Sequence, residues 1–99
     1  MEIKLINHGE YGEVLLIGRL DSSTVADAEN VLNQISERFN KLTLNMEKLA
    51  YISSAGLRVL KRLHVTMSKK GGELELSNVN PMVMEVFEMT GFSGLLHIV

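Results

Sequence analysis

The stretch Tyr51-Ile52-Ser53-Ser54-Ala55-Gly56-Leu57-Arg58-Val59-Leu60 holds the transition on which the fold turns. An apolar run stops at Ser53 and a helical pattern starts at Ser54, so a hydroxyl stands where a strand or loop becomes a helix. At about 100° per residue, Gly56, Leu57, Val59, Leu60, Leu63 and Met67 gather on one side, which is the side to be buried. Ser54, Arg58, Lys61, Arg62, Val65 and Lys69 gather on the other. Ser54 is therefore predicted to face solvent at a helix N-terminus, where unpaired N–H groups and about half a unit of positive charge favour an anion such as a phosphate. The ordinary use of a serine at this place is capping, worth about 1 kcal/mol. Two adjacent serines allow a division of labour, with Ser53 the better cap candidate and Ser54 left free.

Outward from this helix the chain is read as alternating strands and helices. Glu2–Asn7 alternates polar and apolar residues, as a short strand with one partly exposed face does. His8-Gly9-Glu10-Tyr11-Gly12 is a turn, and Val14-Leu15-Leu16-Ile17-Gly18 is a continuous apolar run of the kind found in strands buried on both sides. Asp21-Ser22-Ser23-Thr24 brings together residue types favoured at helix starts, ahead of Val25, Ala28, Leu32, Ile35 and Phe39 at helical spacing, with Val31 joining them on the wheel. Lys41–Met46 alternates as another strand with Leu42, Leu44 and Met46 on one face. Beyond the serine-opened helix, Lys69-Lys70-Gly71-Gly72 supplies lysines for the negative helix end and Gly71 as a left-handed stop. Leu74–Ser77 is a strand. Asn80-Pro81 caps and opens a last helix that closes at Gly91 and buries Val83, Val86 and Phe87, and Leu95–Val99 is a weak final strand.

The order β-β-α-β-α-β-α-β requires right-handed crossovers. It predicts an α/β fold: one small domain over residues 1–99, with a mixed, mostly parallel sheet of roughly four to five strands, helices mainly on one face and the first strand antiparallel at the edge.

Composition narrows the function. The chain has 99 residues, 45% hydrophobic and 22% charged, which is the balance of a folded globule. With no cysteine there is neither a disulfide framework nor a thiolate metal site. His8, His64 and His97 are scattered without ligand spacing, so neither a metal nor a cofactor is expected. A net charge of −2 and 5% aromatic residues disfavour nucleic acid as a partner. No apolar run approaches the ~20 residues needed to span a bilayer, and Met1-Glu2-Ile3-Lys4 does not open a signal peptide, so a cytoplasmic location without membrane contact is expected.

Tyr51-Ile52-Ser53-Ser54-Ala55-Gly56-Leu57 resembles the signature of the STAS domain, shared by anti-sigma factor antagonists and sulphate transporter tails. Gly18-Arg19-Leu20-Asp21 is similar to that family's strand-to-helix loop, and Leu76-Ser77-Asn78-Val79 before Pro81 and Met89-Thr90-Gly91-Phe92 are similar to its C-terminal half. The resemblance implies a bacterial partner-switching module. Its unphosphorylated form would bind an anti-sigma factor that is also a serine kinase and so release the sigma factor. Phosphorylation of the serine before the small-Gly-Leu triplet, here Ser54, would end the binding, and a serine phosphatase acting on the phosphorylated form would restore it. Two positions depart from the pattern of kinase-regulated members: Ser53 and Asn45 stand where aspartates are common. Asp21 matches the family's loop aspartate, and its ordinary alternative is to cap the first helix. The expected partner surface is Asp21, Ser22, Ser23, Thr24, Ser53, Ser54, Arg58 and Val65, with Lys61 read mainly as part of a solvated basic face.

The rival readings are a hydrolase, a nucleotide binder and a module of the same fold that is never phosphorylated, serving as a scaffold or regulatory binding module. The strained Gly-x-Ser-x-Gly elbow is absent, and His64, the base nearest in sequence, turns towards the core rim. Gly71-Gly72 lacks the lysine and spacing of a phosphate loop. No enzyme is expected.

Overall fold

In a computed structural model that describes all 99 residues, Met1–Val99, the hairpin read from the first two apolar runs is formed. Strand β1 (Glu2–Asn7) lies antiparallel to β2 (Gly12–Leu20), and the turn closes through the Gly9 N–H on Asn7 Oδ1 (2.8 Å) and the His8 N–H on the Tyr11 carbonyl (3.0 Å). There follow α1 (Val25–Ser36), β3 (Lys41–Asn45), β4 (Leu49–Ile52), α2 (Ser54–Lys69), β5 (Glu73–Ser77), α3 (Pro81–Thr90), a short 3₁₀ turn (Phe92–Gly94) and β6 (His97–Ile98). The sheet runs β1-β2-β3-β5-β6, with every pair after the first parallel and β1 at the edge.

The sheet has six strands, not four or five, because Leu49–Ile52 is a strand of its own. β4 pairs in parallel with the far end of β2, beyond the point where β3 leaves it. A turn at Met46–Lys48 separates β3 from β4, the Leu49 N–H bonding to the Met46 carbonyl at 3.1 Å and the Gly18 N–H to the Lys48 carbonyl at 3.0 Å. Four residues with mixed burial carry too little periodicity to declare themselves as a strand.

The core lies on one side of this sheet. Val14, Leu16, Leu42, Leu44, Leu74 and Leu76 point into it and meet Ala28, Leu32 and Ile35 of α1, Leu57, Leu60, Leu63 and Met67 of α2, and Val83 and Phe87 of α3. The expectation that Val14–Gly18 is buried on both sides fails: Leu15 and Ile17 are only half-buried, because no helix covers their face. That face carries Glu13, Thr43, Asn45 and Glu75, and it is held by hydrogen bonds from Thr43 Oγ1 to Glu75 Oε1 (3.0 Å) and from Asn45 Nδ2 to Glu13 Oε2 (3.0 Å).

α1 is shorter than its pattern. It stops at Ser36, and Phe39 is buried from the loop beyond. Lys70 ends the helix from outside, its ammonium donating to the carbonyl oxygens of Ser36 and Phe39, so this lysine serves the negative end of α1 and not that of its own helix. Val31, placed on the apolar stripe by the wheel, is 38% exposed. α2 buries the six residues read from the sequence, and Gly71 stops it at φ +75°. α3 begins with Asn80 Oδ1 accepting the Val83 N–H (2.9 Å) and ends at a left-handed Gly91, while Val86 is half-buried where burial was expected.

One glycine decides how α2 meets the sheet. A Cβ at Gly56 would lie 2.7 Å from the Leu20 carbonyl oxygen and 2.8 Å from Ile52 Cγ1. Glycine to alanine inside a helix ordinarily gains up to about 1 kcal/mol. Here Gly56→Ala is expected to lose about 1–3 kcal/mol by forcing the two elements apart, measured as a lower urea midpoint at unchanged slope.

Candidate functional site at the start of α2

β2 and β4 are parallel neighbours, and their register sets Leu20 opposite Ile52. The loops that leave these two ends, Asp21–Thr24 into α1 and Ser53 into α2, are therefore side by side. The Ser53 N–H donates to the Leu20 carbonyl at 2.9 Å and ties them together.

The two serines divide as expected. Ser53 is the cap, with extended backbone and its Oγ accepting the Gly56 N–H at 3.3 Å, while its carbonyl accepts the Leu57 N–H at 2.9 Å. Ser54 is exposed and its hydroxyl has no hydrogen-bond partner. The N–H groups of Ser54 and Ala55 have no acceptor either. The first turn of α2 contains no acidic side chain, so its partial positive charge is uncompensated.

Basic side chains run down from Ser54. Arg58, one turn on, is exposed and makes no ion pair, and neither does Lys61. Arg62 is occupied: Nε donates to Glu29 Oε2 at 2.6 Å and Nη2 to Oε1 at 3.1 Å, a fork that joins α2 to α1 and raises the guanidinium pKa. Val65 is 39% exposed and lines an open groove with Arg58, Lys61, Arg62 and Thr66.

The Asp21–Thr24 loop is a hydrogen-bonded unit. Asp21 Oδ1 accepts both the Ser23 N–H (3.0 Å) and the Ser23 hydroxyl (2.7 Å). The Thr24 hydroxyl donates to the Arg19 carbonyl (2.9 Å) and accepts the Asp21 N–H (3.0 Å). Thr24, not Asp21, holds the cap position of α1, and its side chain makes no capping bond; Asp21 instead closes an Asx turn upstream. Ser22 is exposed.

Two residues outside the expected surface belong to its geometry. Arg19 and Tyr51 are paired across β2 and β4, and the Arg19 guanidinium lies 4.4 Å from the Tyr51 ring centroid, its Nε also donating to Asp21 Oδ2 at 3.4 Å. Recognising β4 would have exposed this pairing. Asn45 bonds to Glu13, to the Glu47 N–H and to Asn78, and to neither serine. An amide suits that place because its NH₂ faces the Glu13 carboxylate, against which a second carboxylate would be repelled.

The STAS domain model matches residues 4–99, and the chain belongs to that family. It is 31% identical over 94 residues to BtrV of Bordetella bronchiseptica, named as an anti-sigma factor antagonist, covering 82% of this chain and 81% of that protein. It is 26% identical over 99 residues to the anti-sigma-B factor antagonist of Staphylococcus aureus, covering 99% and 92%. The fold is that of the anti-sigma factor antagonist SpoIIAA in its unphosphorylated form, at a TM-score of 0.81 and 20% identity over 99% of this chain and 88% of the other. Bacillus SpoIIAA in its phosphorylated form aligns at 0.74 and 19% identity over 99% and 91%. No helix is long and apolar enough to cross a membrane.

The hydrogen bonds of Ser23, strongest first the hydroxyl and then the N–H, together with Arg19, hold the Asp21 carboxyl below its ordinary 3.8. A folded-state value below the unfolded one gives stability that is complete above the unfolded pKa and lost as pH falls through the folded pKa. Titration of the Asp21 carboxyl by NMR should give a midpoint below 3.8, and Ser23→Ala should move it upward. A midpoint indifferent to that substitution would contradict the assignment.

Proposed function

We propose that this chain is an anti-sigma factor antagonist switched at Ser54. Its unphosphorylated form binds an anti-sigma factor that is also a serine kinase, through Asp21–Thr24, Ser53, Ser54, Arg58 and Val65. Arg19 and Tyr51 lie on the rim of this footprint. Phosphorylation of Ser54 ends the binding, a serine phosphatase restores it, and the exchange takes place in the cytoplasm. The observation that carries the reading is the contrast between the two serines: one hydroxyl is committed to the cap, and its neighbour stands free at an uncompensated helix end. The names of the relatives and the two recorded states of SpoIIAA support it. No histidine hydrogen-bonds to either serine, which favours a binding surface over a nucleophile.

A phosphate on Ser54 carries about −1.5 to −2 charges. It would stand next to free N–H groups and on the same helix face as Arg58 four residues on, so it is stabilised locally and does not unfold the helix. The switch then acts through the surface: a small neutral hydroxyl becomes a bulky dianion inside the footprint. The free charges of Arg58 and Lys61 around Val65 fit a partner with an acidic rim, and association with it slows at high salt.

Incubation with the cognate kinase and ATP, followed by peptide mass spectrometry, should place the phosphate on Ser54. Modification confined to Ser53 would reassign the site, and none at all would leave a STAS binding module without the switch. Ser54→Asp should weaken partner binding at least tenfold, about 1.4 kcal/mol, with an unchanged far-UV spectrum. A large loss of helix would contradict the surface mechanism. Val65→Glu should likewise weaken binding at little cost to stability, since the side chain is outside the core; unfolding in that variant would remove Val65 from the footprint.

A further inference from the structure

The apolar stripe of α1 includes one residue that the core does not cover. Val31 sits 38% exposed over a groove of about 210 Å³ that it lines with Met1, Ile3, Ser23, Thr24, Asp27 and Ala28. The groove lies at β1, where the sheet ends: β1 pairs with β2 on one side and with no strand on the other. An antiparallel edge strand presents the N–H and C=O groups of alternate residues outward. β1 contains no proline and its six-residue register with β2 is unbroken, so its only guard against pairing is the charge of Glu2 and Lys4.

Its side chains are sorted by face. Ile3 and Leu5 lean to the helix side and are half-buried, while Glu2 and Lys4 are exposed on the other side, with Lys4 Nζ 3.7 Å from Glu2 Oε2. In any continuous sheet, residues opposite one another must share a face. A strand paired antiparallel with its own copy therefore has one residue opposite itself. Centred on Glu2 or on Lys4, the pairing sets like charges together. Centred on Leu5, it sets Lys4 against Ile6 and Ile3 against Asn7. Centred on Ile3, it sets Glu2 against Lys4 twice, Met1 against Leu5 twice and Ile3 against itself.

We infer that β1 is a self-association edge: it pairs antiparallel with β1 of a second copy, Ile3 opposite Ile3, to make one sheet continuous through two molecules. Among the registers centred on Glu2 to Leu5, charge complementarity selects that one, and the two Glu2–Lys4 pairs it forms point to a second copy as the occupant. The apolar side chains of the second copy continue the layer past the edge and beneath Val31, which accounts for the exposure of a residue on the core stripe. The arrangement is a closed two-fold pair. It does not rest on the reading of Ser54, although Ser23 and Thr24 line the groove.

Sedimentation equilibrium of the chain with an untagged N-terminus, over a wide range of concentrations, tests the inference. A monomer–dimer equilibrium is expected. Lys4→Glu should weaken dimerisation about tenfold, since two opposed pairs change from attractive to repulsive. The double variant Glu2→Lys/Lys4→Glu should restore it, because exchanging the charges recreates both pairs between copies. Melting temperatures measured where each variant is monomeric check that folding is unchanged. A chain that stays monomeric at every concentration overturns the proposal and leaves the edge to some other strand. So does a dimer indifferent to Lys4→Glu, or a double variant as weak as the single one.

Discussion

The carbonyl of Leu20 is the point on which this structure hangs. It accepts the Ser53 N–H at 2.9 Å, and the α-carbon of Gly56 passes so near it that a methyl group there would lie 2.7 Å away. One oxygen thus fixes where α2 begins, how closely it approaches β2, and which loop its first turn faces. Everything assigned to the site follows from that approach: the Asp21–Thr24 loop beside the helix start, Arg19 against Tyr51, and Ser54 held outward on a backbone with little freedom to adjust.

Two divisions of labour are visible, one along the chain and one across the sheet. Along the chain, the cap bond belongs to Ser53, and the Ser54 hydroxyl takes no part in it. Across the sheet, the helices bury one face, and the other is kept in order by its own polar network: His8 and Asn45 on Glu13, and Thr43 on Glu75. Two hydrogen bonds, from His8 and from Asn45, hold the Glu13 carboxyl below its ordinary range. The basic row on α2 is likewise divided. Arg62 is engaged in the fork with Glu29 that binds two helices together, whereas Arg58, Lys61 and Lys69 make no ion pair.

Elements with strong local chemistry were legible in the sequence. The faces of α2, the cap at Ser53, the Asn80-Pro81 start and the glycine stops at 71 and 91 all stand where residue type and spacing placed them. What was lost depended on neighbours distant in the chain. β4 is a strand only because β2 runs on past β3 to meet it. Val14–Gly18 looks doubly buried because its composition is apolar, and whether a helix covers its second face is a property of the whole topology. α1 is cut short by a lysine thirty-four residues after its last turn, and Asp21 leaves the cap to Thr24 because its carboxylate finds Ser23 first. At the site, Ser54 and Arg58 were visible on a wheel, whereas the approach of Arg19 to Tyr51 needed the missing strand.

The chain has no tryptophan and two tyrosines. One of them, Tyr11, stacks on His8 at the far turn of the hairpin, with ring centroids 4.6 Å apart. The other, Tyr51, is 38% exposed at the mouth of α2 with a guanidinium against its ring. The protein therefore carries its own optical reporter beside the start of α2. Ultraviolet emission from Tyr51 is free of the indole signal that masks phenols in most proteins, and any tryptophan brought by a partner can serve as its energy acceptor. With Tyr11→Phe removing the second phenol, that emission reports on Tyr51 alone, without a label.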